Sequence, residues 1–67
     1  MPELTEERAG ELRGAVARAA SAHAADPSTR RDLSTAMRTG YFAGLDRQEV
    51  IDLSGLPQHD AERVLDG

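Results

Sequence analysis

The stretch EVIDLSGLPQHDAERVL, Glu49 to Leu65, decides how this chain folds. Val50 and Ile51 are adjacent apolar residues at the head of a short segment, followed by Ser54-Gly55. Glycine at the end of a helix adopts the left-handed backbone that reverses the chain without a side-chain clash. Leu56-Pro57 then crosses a corner, and proline is at home in the first turn of a new helix. Ala61, Val64 and Leu65 recur at steps of three and one, which gives that helix a single inner face. Two helices folded back at Gly55 are the expectation, with Val50, Ile51, Leu56, Ala61 and Val64 inside.

Upstream, Asp46 precedes Glu49 by three residues, a D-x-x-E form of the capping box that opens the first of these two helices. Leu4-Thr5-Glu6-Glu7 marks another helix start, with Thr5 as the cap and two acids at the positive end of the dipole. Alanine-rich sequence then continues to Ala25, and alanine enters a helix at the least cost. Ala9, Leu12, Val16, Ala19 and His23 fall on one face of this first helix. A seam of that kind suits packing onto larger side chains of a neighbour, or self-pairing into a homodimer. Asp26-Pro27-Ser28 ends the first helix and begins a second, where Leu33, Ala36, Met37 and Tyr41 share a face. Gly40 and Gly44 bracket its end, and Leu45 is expected beneath the next turn. No stretch alternates apolar and polar residues with the period of a strand. The expected fold is all-α: one domain over residues 1–67, a small bundle of about four helices. The segments are 1–26, 27–45 and the cornered unit 46–67.

Bulk properties narrow the function. The chain has 67 residues, no cysteine and a net charge of −4. Disulfides and thiolate metal sites are therefore excluded, and His23 and His59 are too far apart to suggest a zinc cluster. Leu, Ile, Val and Phe total twelve residues, a thin supply for a core. A chain this size has little material for a catalytic pocket, so no enzyme and no cofactor are expected. Gly40 and Gly44 lack a lysine partner and make no phosphate loop. The charged start MPELTEERAG has no signal-peptide core, and no apolar run reaches membrane-spanning length. A cytoplasmic location with no membrane partner is the expectation. Tyr41 and Phe42 are expected as core or interface anchors.

Residues 46–65, DRQEVIDLSGLPQHDAERVL, resemble the bihelical unit of helix-turn-helix DNA-binding proteins. They are most similar to small bacterial and phage regulators whose unit runs x-x-E-I-A-x-x-T-G-L-S-x-x-T-V-x-R-x-L. The resemblance covers about twenty of the 67 residues. It implies that Gln58, His59, Glu62 and Arg63 face DNA, with Gln58 suited to adenine and Arg63 to guanine or phosphate. Arg30, Arg31, Arg38 and Arg47 would then contact phosphates; local pairing on a charged surface is their alternative role. Family members place small hydroxyl residues, arginine or lysine on the second helix, whereas this one carries Asp60, Glu62 and Asp66. Charge is distributed to match that departure: −2 over residues 1–26, +2 over 27–45 and −4 over 46–67.

Two functions follow from the sequence. The first is a small transcriptional regulator acting on DNA, as a dimer or with a partner. The second is an interaction module that does not bind DNA. It would present Asp60, Glu62 and Asp66 to a basic surface of another regulator or of a polymerase subunit. Shape favours the first and the charge census the second; regulation on DNA ranks first, because the corner keeps its residues and oligomerisation could offset the charge.

Overall fold

A computed structural model describes residues 4–67. The first three residues of the 1–26 segment lie outside the described residues. The chain forms α1 (Glu6–Ala25), a short 3₁₀ turn (Pro27–Thr29), α2 (Arg30–Ala43), α3 (Arg47–Ser54) and α4 (Gln58–Asp66). The fold is all-α, and no strand occurs among the described residues.

Local chemistry sets the start of α1 and α3 and the end of α2. The Thr5 hydroxyl accepts a hydrogen bond from the Arg8 amide at 3.1 Å, with Glu6 and Glu7 in the first turn of α1. Asp26 follows α1 in an extended conformation and accepts the Ser28 amide at 3.0 Å. The Ser28 backbone amide, and then its hydroxyl, hold the Asp26 carboxyl below the usual carboxylate range. A lowered value stabilises the fold at neutral pH, and that contribution disappears as pH falls through it. At the end of α2, Gly44 has φ +122° and its amide donates to the Tyr41 carbonyl at 3.1 Å. Leu45 donates to the Gly40 carbonyl at 3.0 Å. These two bonds form a Schellman closure, and Leu45 is driven into the core behind it. Asp46 accepts the Glu49 amide at 3.3 Å, which is half of the expected capping box. The Glu49 carboxylate pairs with Arg13 instead, tying α3 to α1.

The core draws on every helix. Ala9, Leu12 and Val16 of α1 meet Leu33 and Met37 of α2, Leu45, Val50 and Ile51 around α3, and Ala61, Val64 and Leu65 of α4. Val16, Leu33, Met37 and Val50 are the largest side chains with no meaningful exposure. The alanine-bearing seam of α1 is therefore filled within the chain by larger side chains of α2 and α3. Ala19 packs half-buried at its edge, as do Ala36 and Tyr41 on α2. Helix α1 packs on α2 and α3, and α4 packs on the same two helices.

The corner between α3 and α4 turns on two residues. Gly55 has φ +71°, the left-handed conformation. Ser54 is 2% exposed and serves both sides of the turn. Its hydroxyl donates to the Ile51 carbonyl at 2.6 Å and accepts the Leu56 amide at 3.1 Å. Both backbone groups would otherwise lack partners at a helix end, so one hydroxyl satisfies a donor and an acceptor. Leu56 packs half-buried against the core, Pro57 stands at the N-cap position without a side-chain bond, and α4 begins at Gln58.

A Cβ on Gly55 would meet nothing within 4 Å, so substitution there isolates the backbone term. Gly55→Ala is expected to lower stability by about 1 kcal/mol, and Gly55→Asn by less. Urea unfolding followed by far-ultraviolet circular dichroism measures both.

Candidate functional site on the C-terminal helix

Helix α4 has nine residues, and three of them, Ala61, Val64 and Leu65, are buried against the bundle. The remaining side chains divide into two flanks of different chemistry. The flank toward α3 is amide and acid. Gln48 and Gln58 bond reciprocally: the Gln48 amide donates to Gln58 at 3.0 Å, and the Gln58 amide donates to Gln48 at 3.2 Å. Gln48 also donates to Asp52 at 2.9 Å, and Gln58 to Glu62 at 3.2 Å. Neither Asp52 nor Glu62 has an ion-pair partner among the described residues. The Gln58 amide, expected at a base edge, is thus engaged in crosslinking α3 to α4.

The opposite flank faces α2 and is cationic. Arg30, Arg38, Asp60, Arg63 and Val64 line an open groove of about 400 Å³. Arg30 and Arg38 come from α2, Asp60 and Arg63 from α4. Two residues expected on phosphates and one expected on bases therefore converge in one place. Arg38 also has a structural role, because its Nε donates to the Val64 carbonyl at 3.0 Å. That carbonyl sits in the last turn of α4, where intrahelical donors run out. Arg30 and Arg63 have no ion-pair partner among the described residues, nor has exposed Arg31.

Arg47 is engaged at the far end of the corner. Its guanidinium pairs with Asp66 at 3.0 Å and lies 5.8 Å from the centre of the Tyr41 ring. The Asp66 carboxylate, and after it the neighbouring Tyr41 side chain, raise the Arg47 pKa. Asp66 is well exposed, so the pair contributes little stability, but it restrains both side chains. Of the three acids expected as one docking face, Asp60 is set apart from Glu62 and Asp66, which lie one helical turn from each other. Asp60 lies in the arginine groove, Glu62 beside Gln58, and Asp66 on Arg47. His59 is exposed beside them.

Elsewhere, His23 is half-buried in the last turn of α1, and its Nδ1 has no hydrogen-bond partner among the described residues. No group of three potential metal ligands occurs among the described residues. Phe42 is 74% exposed, and a single exposed aromatic is ordinary on a small surface. No helix among the described residues is long and apolar enough to cross a membrane.

Three features of the site were not anticipated from sequence: the Ser54 double bond, the Gln48–Gln58 bridge and the Arg38 cap. A hydroxyl residue just before a helix-ending glycine was a local signal for the first. The other two join residues whose pairing requires the fold. No protein-family model matches the chain, and no curated protein or solved structure does so.

The different duties of two groove arginines are separable by substitution. Arg38→Met is expected to cost about 1 kcal/mol, since it leaves a helix-end carbonyl without its charged donor. Arg30→Met is expected to stay within about 0.5 kcal/mol of the parent. Thermal melts of the two variants side by side provide the comparison.

Proposed function

We propose that the chain is a protein-docking module that seats the α3 flank of its C-terminal elbow on a basic protein surface. One observation carries this reading: Asp52 and Glu62 flank the Gln48–Gln58 bridge, and no cation among the described residues pairs with either. Side chains held by such a bridge lose less freedom on association, and fixed negative charge speeds encounter with a basic partner. The same features oppose DNA. Each carboxylate near a phosphate adds repulsion where counterion release supplies most of the affinity. Arg47 is committed to Asp66, and the Gln58 amide to Gln48 and Glu62.

DNA-linked transcriptional regulation is the second reading. It is favoured by the helix-turn-helix resemblance and by Arg30, Arg31 and Arg63, which have no ion-pair partner among the described residues. Such binding would be weak in a monomer and strongly salt-dependent. A dimer would strengthen it. The core-facing seam of α1 is occupied within the chain, so a dimer through α1 would use the helix's outer side.

The two readings part in one titration at low salt, using isotope-labelled protein with an arginine-rich peptide and, separately, random duplex DNA. Docking predicts saturable peptide shifts at Gln48, Asp52, Gln58 and Glu62, weakened about tenfold by Asp52→Asn with Glu62→Gln. Peptide shifts spread equally over Glu6, Glu7 and Glu11 would reject docking. So would duplex binding that disappears with Arg30→Ala and Arg63→Ala, which is the outcome the DNA reading requires.

A further inference from the structure

The groove between α2 and α4 does not belong to the docking flank and has its own chemistry. Three guanidinium groups, Arg30, Arg38 and Arg63, share it with one carboxylate, Asp60. Like charges gathered from two helices repel, and neither Arg30 nor Arg63 has an ion-pair partner among the described residues. Arg38 uses Nε on the Val64 carbonyl, which orients its fork and leaves its terminal amino groups as donors. Asp60 does not neutralise the groove, and it makes no ion pair within it among the described residues. Three positive charges and one negative give the lining a formal charge of +2.

We propose that this groove binds a phosphate group whose ligand also brings a hydrogen-bond donor to Asp60. The arginines take the phosphate oxygens, for which a planar guanidinium fork is well shaped. A lining of +2 complements a doubly charged phosphate. Asp60 supplies selectivity. An ionised carboxylate accepts hydrogen bonds only, so it repels a proton-free oxyanion and receives a ligand hydroxyl. Hydrogen phosphate carries such a hydroxyl on phosphorus, and a sugar phosphate carries it on the sugar. Sulfate near neutral pH carries none. The groove volume of about 400 Å³ exceeds what a bare phosphate fills, leaving space for a sugar. This proposal does not rest on the docking reading, since none of its four residues lies in the Gln48–Gln58 bridge.

The test is a titration of isotope-labelled protein with inorganic phosphate, sulfate and ribose 5-phosphate in parallel. Ionic strength is held constant with sodium chloride, and the arginine Nε–H signals are followed. Phosphate is expected to produce saturating shifts at Arg30, Arg38 and Arg63, with a Kd on the order of millimolar for so open a site. Arg30→Gln and Arg63→Gln are expected to weaken binding about fivefold to tenfold each. Arg38 is left intact because it caps α4. Asp60→Asn is expected to admit sulfate, bringing it within about twofold of phosphate. Tighter binding of ribose 5-phosphate than of phosphate would assign the ligand to the sugar phosphates, and the reverse order to the free ion. Shifts that remain linear, that sulfate reproduces in the parent protein, or that survive Arg63→Gln would overturn the proposal.

Discussion

The left-handed backbone of Gly55 is the constraint on which the surfaces of this protein depend. Nine residues are too few for a helix to persist alone in water, so α4 exists because it is folded back onto the bundle. Its apolar hold is modest, Ala61, Val64 and Leu65 against α2 and α3, with Arg38, Gln48 and Arg47 adding polar ties. The turn must therefore position α4 without leaving unsatisfied backbone groups in the crowded corner. Ser54 meets that demand by bonding both the carbonyl behind it and the amide ahead of it. Remove the turn, and the apolar strip of α4 has nothing to face.

Arginine in this chain is divided between architecture and surface. Arg13 joins α1 to α3 through Glu49, Arg38 finishes α4, and Arg47 holds Asp66. Arg30 and Arg63 are left to give the α2 flank of α4 its charge. The other flank is acid and amide, so a single short helix separates two surfaces of opposite preference. A sequence charge of −4 conceals that contrast, because it averages the two flanks together with α1.

Much of the fold was legible because its determinants are local. Thr5, Asp46, Gly44 and Gly55 act within a few residues of themselves, and sequence displays such relations directly. The apolar faces were legible for the same reason, down to the burial of Leu45 behind α2. The site was less legible. Arg38 bonds a carbonyl twenty-six residues away, and Arg13 pairs with a residue thirty-six away. Residue type announces that an arginine needs a partner without saying which. The grouping of Asp60, Glu62 and Asp66 into one acidic face had a different cause. Helical geometry turns about 100° per residue, which sets Asp60 and Glu62 on nearly opposite sides. Glu62 and Asp66, four residues apart, do share a side, so the helical wheel sets only Asp60 away from the other two.

The most direct test of the account is a solution measurement of proton–proton proximity in methyl-labelled protein. Folding back at Gly55 predicts cross-peaks from the Val64 and Leu65 methyls to side chains of both α2 and α3. It also predicts a break in the helical amide pattern between Ser54 and Gln58. An unbroken helical pattern through Gly55, with no cross-peak from Val64 or Leu65 to α2, would contradict it.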